Sequence, residues 1–312
     1  MALRPRRCPR PPRRAAAAGL GGAHRRRHRL RLPRVPRAGG GPVTRPVAVV
    51  TGGARGIGRA IAAELLARGL RVVLADLDGA EATARELGAV GRHLDVTDRR
   101  AVEALVADVE ESLGPIAVWV NNAGVMPTGA FLDQQPDVDD LVLDVDYRAV
   151  VHATRAVVPR MVRRGRGAVV QVASATGAKP MAGLAVYSGT KAAVVAFSEA
   201  LRRELRGTGV DVLVVLPYLA ATPMGAGIRS QRGFRPVTAE EVAVTTVRAL
   251  ERRRAEVYVP RWLGPAAHLF RELPLAVRGV LDDALASDRV GLGGDPDQRR
   301  RYLRQVRRNA HR

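Results

Sequence analysis

The chain has 312 residues, is 46% hydrophobic and carries a formal net charge of +21. That charge sits at the ends: residues 1–45 hold 14 Arg and no acid, residues 298–312 hold 7 Arg and no acid, and the stretch between balances at 30 basic and 30 acidic side chains. A neutral body argues against a dedicated nucleic-acid reader, which carries basic residues on its folded face, and it is long enough for one α/β core.

Only 2 of the 51 basic residues are Lys, a bias of GC-rich coding rather than a binding signal. The single cysteine, Cys8, excludes an intrachain disulfide and suits a reducing, cytoplasmic setting. No apolar run approaches the ~20 residues of a membrane span. Residues 1–45 are rich in Arg and Pro and contain no Ser, so they read as a disordered extension rather than a leader.

Regular patterning begins at Val47. Residues 47–50 read as a buried strand that runs into Thr51-Gly52-Gly53-Ala54-Arg55-Gly56-Ile57-Gly58 and a helix to about residue 68. Gly52, Gly56 and Gly58 in a strand-to-helix turn permit close approach to a pyrophosphate. The helix opening near Ile57 offers unpaired N–H groups and a favourable dipole to the same anion. Residues 71–75 form a second strand ending at Asp76, whose carboxylate can accept from adenosine ribose hydroxyls and repels a 2′-phosphate. That favours NAD over NADP, with Arg55 in the glycine loop pulling the other way.

A helix follows over residues 79–87, a short strand over 91–94 and a helix over 98–113. The strand at 116–120 leads into Asn121-Asn122-Ala123-Gly124, and a long helix covers 138–164. The strand at 168–173 ends at Ser174, and a helix over 184–206 carries Tyr187 and Lys191. A strand at 210–216, a turn-rich stretch at 217–236, a helix at 239–252 and a strand at 256–259 complete the alternation. Continuous apolar strands separated by helices predict an α/β fold, a doubly wound parallel sheet of about seven strands. The single domain spans 46–260, followed at 261–312 by a helical extension and basic tail. Residues 266–286 predict one or two amphipathic helices packed on their own domain, with a pocket cover, an oligomer interface or a membrane surface as alternatives.

Tyr187 and Lys191 are four apart on a helix and share a face. A free phenol has pKa ~10, so about one part in a thousand is ionised at pH 7. A neighbouring ammonium favours the phenolate. Ser174 can donate to a substrate oxygen where charge develops. Tyr187 then takes the hydroxyl proton in oxidation and returns it in reduction. His93 and His152 lack partner spacing for a metal or a triad, so no metal site is expected.

On Thr51-Gly52-x-x-x-Gly56-x-Gly58, Asn121-Asn122-Ala123-Gly124, Ser174 and Tyr187-x-x-x-Lys191, residues 46–260 resemble the short-chain dehydrogenase/reductase family. The resemblance implies a Rossmann fold and an NAD(P)-dependent oxidoreductase acting on a secondary alcohol or its ketone, assembled as a homodimer or homotetramer. It implies that Asp95 and Val96 meet the adenine, and that Asn121, Asn122, Ala123 and Gly124 line the cofactor and steady the sheet. It also implies that Lys191 holds the nicotinamide ribose and that Thr222, after Pro217, binds the carboxamide. Tyr218 stands where many members have glycine and should crowd the nicotinamide side.

One position departs from the family pattern. Val145-Asp146-Tyr147-Arg148 has Asp where the family usually has an Asn that holds a relay water near the lysine. Asp146 is expected to hold that water and to blunt the pull of Lys191 on Tyr187. Met126, Met181, Leu184, Tyr218 and Met224 flank the motifs and suggest a hydrophobic substrate. The alternative is an NAD(P)-binding redox sensor with weak or no turnover, which Asp146 and Tyr218 keep open. A polyanion-binding or scaffold role for residues 1–45 is a further rival.

Overall fold

The computed structural model describes residues 45–310, with side chains described as far as Val306. The arm read in residues 1–45, with Cys8, lies outside the described residues except for Arg45.

Seven parallel strands form one sheet: β1 (Val47–Thr51), β2 (Arg71–Asp76), β3 (Val90–His93), β4 (Ile116–Asn121), β5 (Gly167–Val172), β6 (Val210–Pro217) and β7 (Glu256–Val259). Their order is β3-β2-β1-β4-β5-β6-β7. The connections are α1 (Gly56–Ala67), α2 (Ala80–Leu87), α3 (Arg99–Ser112), α4 (Pro136–Leu143) running into α5 (Ala149–Arg164), α6 (Ala185–Glu204) and α7 (Ala239–Glu251). This is the doubly wound Rossmann arrangement, and the strand order reverses between β1 and β4.

The sequence explains the layers. Strands such as Val47–Thr51 and Gly167–Val172 are buried along their whole length because helices cover both faces. One apolar cluster joins α1 and α7 to the sheet through Ile61, Leu65, Val242 and Val247, and a second joins α3 and α5 through Val106, Val109, Val157 and Met161. Helix starts follow local chemistry. Asp98 accepts from the N–H groups of Arg100 and Ala101 at the start of α3, and Thr238 with Glu241 forms a capping box on α7.

Two features depart from the expected elements. The long helix at 138–164 is interrupted by a π-turn over Asp144–Arg148, the wide turn often found at functional sites. Beyond β7 lie α8 (Leu263–Glu272), α9 (Leu275–Ala284) and α10 (Pro296–Ala310). Helix α8 packs on its own domain through Leu263 and Ala267, beside Tyr258. Helix α9 buries none of its residues and is held through Lys179, which pairs with Asp282. Among the described residues, no helix is long and apolar enough to cross a membrane.

Candidate active site

The loops after β1, β4, β5 and β6 converge with the start of α6 on one cavity of about 360 Å³. It opens at the carboxyl ends of the strands, where the sheet order reverses.

Its floor is the glycine turn. Gly52 has φ +61°, and a Cβ there would lie 2.8 Å from the Cα of Ala123. A Cβ on Gly58 would lie 2.1 Å from the carbonyl oxygen of Gly52, so only glycine lets α1 start this close to β1. Thr51 Oγ1 accepts from the N–H groups of Asn122 (3.0 Å) and Ala123 (3.2 Å), and Asn122 Nδ2 donates to the carbonyls of Thr51 (3.0 Å) and Gly52 (2.9 Å). These bonds lock the two loops together. No side chain caps the first turn of α1, which leaves its N–H groups to an anion.

The other expected cofactor contacts gather on the same cavity. Asp76 Oδ2 accepts the N–H of Ala54 at 2.9 Å, which sets its carboxylate against the glycine turn. Arg55, Ile57, Asp95, Val96, Gly124, Pro217 and Thr222 all line the cavity. Thr222 lies over Gly56, where a Cβ would come within 3.3 Å of its Cγ2. A backbone cradle closed to side chains, an uncapped helix start and a carboxylate beyond them fit a dinucleotide, and these residues would hold it.

Asn121 does not join them. Its Oδ1 accepts from Trp119 Nε1 at 2.7 Å, and its Nδ2 donates to Gln171 Oε1 (2.8 Å) and Thr154 Oγ1 (3.3 Å). Successive strand residues face opposite sides of the sheet, so Asn122 reaches the cavity while Asn121 ties β4 to β5 and α5.

The reacting end lies between β5 and α6. Ser174, after β5, accepts from the N–H (3.2 Å) and hydroxyl (3.0 Å) of Thr176, leaving its own proton to donate. Lys191 Nζ sits 5.4 Å from the ring centroid of Tyr187 and donates to the carbonyl of Val172 at 3.3 Å. It also pairs with Asp146 Oδ2 at 3.1 Å. That contact is an ion pair rather than an aligned hydrogen bond, since Oδ2 has no well-oriented donor. Asp146 Oδ1 accepts the N–H of Val125 at 2.8 Å, and the residue is 0% exposed. Asp146 therefore contacts Lys191 directly from within the π-turn.

The electrostatics follow from this burial. Desolvation pushes the Tyr187 phenol above its ordinary value of 10.0; Lys191 and a hydrogen bond with Ser174 pull it down, and Asp146 pushes it up again. The net direction is upward. Lys191 pulls the phenol in the expected direction, but burial and the Asp146 charge together outweigh it. For Lys191 itself, burial works against the charge, but Asp146 and Tyr187 outweigh it and raise the pKa. Burial raises Asp146, with Lys191 opposing.

Tyr218 lines the cavity, its hydroxyl accepting the N–H of Gln231 at 3.0 Å and its ring against Phe234. Met126, Met181, Leu184 and Tyr187 belong to one apolar cluster with it. Tyr302, Gln305 and Val306 of α10 also line the cavity, and the sequence reading assigned none of them to it. Their 302, 305, 306 spacing is a helical stripe, but it is embedded in an arginine-rich run that reads as solvated tail. Among the described residues, no group of three or more His, Cys, Asp or Glu is arranged to hold a metal ion.

The profile of the family described as short chain dehydrogenase matches residues 46–233. Over 209 residues the chain is 41% identical to 1-deoxy-11-beta-hydroxypentalenate dehydrogenase of Streptomyces exfoliatus, covering 63% of this chain and 76% of that protein. Over 223 residues it is 35% identical to oxidoreductase UcpA of Salmonella typhimurium, covering 69% and 83%. Among solved structures, a short chain dehydrogenase/reductase from Burkholderia phymatum in complex with NAD matches with a TM-score of 0.67 at 26% identity, covering 73% of this chain and 93% of that one.

Proposed function

We propose that this chain, which belongs to the short chain dehydrogenase family and is an oxidoreductase acting on CH–OH groups, interconverts a hydrophobic secondary alcohol and its ketone with NAD(H), using Tyr187 as general acid and base. The observation that carries this reading is the meeting of Ser174, Tyr187 and Lys191 on the cavity that the glycine turn also lines, with Lys191 Nζ 5.4 Å from the Tyr187 ring.

When bound, the nicotinamide supplies or accepts the hydride. Ser174 turns its proton from the Tyr187 oxygen to the substrate oxygen, where charge develops. Tyr187 takes that oxygen's proton in oxidation and returns it in reduction. Lys191 keeps a positive charge beside the phenol, and Asp146 keeps Lys191 charged in a buried site. Preference for NAD is supported by Asp76, whose carboxylate is fixed against the glycine turn where a 2′-phosphate would meet it. An apolar substrate is supported by the cluster of Met126, Met181, Leu184 and Tyr218. A homodimer or homotetramer is the assembly we infer, to be read by light scattering.

The test is turnover of a panel of cyclic and aliphatic secondary alcohols with NAD⁺, followed at the nicotinamide absorbance, for the parent and Tyr187→Phe. Turnover lost in the variant, with cofactor affinity retained, supports the assignment; equal turnover refutes it. A second reading, a redox-sensing protein with little turnover, draws on the Asp146–Lys191 pair and the upward shift of Tyr187. Tight NAD(H) binding without turnover of any alcohol or ketone would favour it.

A further inference from the structure

The family profile ends at residue 233, yet α10 at residues 296–310 closes one side of the active cavity. Arg299 fixes it there. Its guanidinium donates to Thr128 Oγ1 (2.9 Å), the Met126 carbonyl (2.6 Å) and the carbonyls of Met224 (2.9 Å) and Ala226 (3.4 Å). It thereby ties the loop after β4 to the loop after β6, the two walls of the pocket. Arg299 is 5% exposed. Burying a guanidinium is costly unless its donors are satisfied, so this arrangement specifies where the helix sits.

One turn further, Tyr302 stacks on the same guanidinium, 4.6 Å from its ring centroid, and its hydroxyl accepts the N–H of Met126 at 2.9 Å. The preceding N–H, of Val125, is taken by Asp146. Tyr302 and Asp146 thus hold adjacent peptide groups, which sets the Tyr302 hydroxyl beside the catalytic carboxylate. Its own proton goes to no acceptor among the described residues. Gln305, three residues on and so on the same helix face, lines the cavity with an amide that has no partner among the described residues. The surrounding wall is apolar, built from Met126, Met181, Leu184 and Val290.

We propose that α10, latched by Arg299, is a wall of the substrate pocket, and that Tyr302 with Gln305 is a specificity determinant that hydrogen-bonds a second oxygen on an otherwise apolar alcohol or ketone. The inference rests on the oxidoreductase reading for the nature of the reacting group. A substrate lacking the second oxygen covers the Tyr302 proton and leaves it unpaired, which costs about 5- to 10-fold in affinity.

The test uses the full chain saturated with NADH, which cannot oxidise the probes, and titrates matched alcohols by calorimetry: cyclohexanol against 1,3- and 1,4-cyclohexanediol, and 2-decalol against decalin-2,6-diol, with turnover then measured on NAD⁺. At least one diol should bind about 5- to 10-fold more tightly than its mono-ol. Tyr302→Phe should bring that ratio to about one. Gln305→Leu, which leaves the Met126 contact intact, should reduce it, and circular dichroism confirms the fold of each variant. Equal binding of both members of every pair, no binding of any probe, or a ratio unchanged in both variants overturns the proposal. Turnover of the same probes separates the two readings. A diol preference without turnover defeats the oxidoreductase reading alone, and turnover without the preference defeats the wall assignment alone.

Discussion

Replacing Asp146 by Asn removes one charge from the centre and keeps its shape. Oδ2 lies 3.1 Å from Lys191 Nζ, and both groups are buried. Two unit charges at that separation attract by about 5 kcal/mol at an effective dielectric of ~20. Desolvation of both takes back much of this. The effect on Tyr187 acts over a longer path and is smaller. Asp146 raises the phenol's pKa, so its removal lowers it. Oxidation needs the phenolate, so its rate rises with pH through that pKa. The rising limb should therefore move to lower pH in Asp146→Asn. At a fixed pH on that limb, oxidation should be about 3- to 10-fold faster, tenfold being ~1.4 kcal/mol. The assay is kcat/KM against pH in both directions, for parent and variant. An unmoved limb would refute the reasoning and mean that Asp146 is already neutral in the working enzyme, and one moved to higher pH would refute it and mean that Lys191 loses its charge without Asp146. Stability should fall meanwhile, by about 3 kcal/mol or roughly 6–12 °C, because Lys191 loses its partner. The sign with pH is set by Lys191, whose folded pKa lies above its ordinary 10.5. The stability it contributes is fully present below 10.5 and is lost as pH climbs through the folded value, so the gap between parent and variant should narrow in strong alkali.

Tyr187→Phe should lower turnover by about 10²- to 10⁴-fold with cofactor affinity unchanged, as measured by nicotinamide fluorescence titration. Asp76→Ser should erode the preference for NAD over NADP by about tenfold or more, because it removes a charge that faces a 2′-phosphate; an unchanged ratio of kcat/KM values would place the selectivity in Arg55 instead. Burial, the negative charge of Glu256 and the opposing Arg271 leave Tyr258 pushed up to about 12. Unfolded tyrosine titrates near 10, so the stability this phenol contributes is present below pH 10 and lost between 10 and 12. Urea midpoints measured across that range should fall less steeply in Tyr258→Phe, and parallel slopes would contradict the shift.

How much of this was legible in the chain depends on which physical effect decides each residue. Strand and helix positions follow from valine-rich runs and amphipathic spacing, and tertiary packing agrees with those signals at nearly every element. The glycine turn was legible because no other residue survives a Cβ contact of 2.1 Å at Gly58. Asn121 steadies the sheet as expected but does not line the cavity, because the motif does not say which of two adjacent asparagines faces it; strand alternation at the end of β4 decides that, and it requires knowing where the strand ends. The position of Asp146 was legible, and so was the direction of its effect on Tyr187; its direct contact with Lys191 was not. That contact is made from the π-turn over Asp144–Arg148, for which the residues Asp-Val-Asp-Tyr-Arg carry no evident signal.

The carboxyl-terminal helix shows a different limit. Composition places Arg299 with the six other arginines of residues 298–312 and assigns all of them to solvent. Charge alone cannot single out Arg299 as buried, because what distinguishes it is external to it: the carbonyls of Met126, Met224 and Ala226 converge on one point. Those carbonyls belong to loops whose shape is set by β4 and β6, far earlier in the chain. The same convergence explains why the departure at Asp146 and the helix beyond the family profile meet. Val125 and Met126 present consecutive N–H groups at the end of the Asn-Asn-Ala-Gly loop; Asp146 takes one and Tyr302 the other. A carboxylate at 146 and a phenol at 302 therefore anchor on the same short segment, so any shift of that segment moves the lysine's counter-charge and the outer wall of the pocket together.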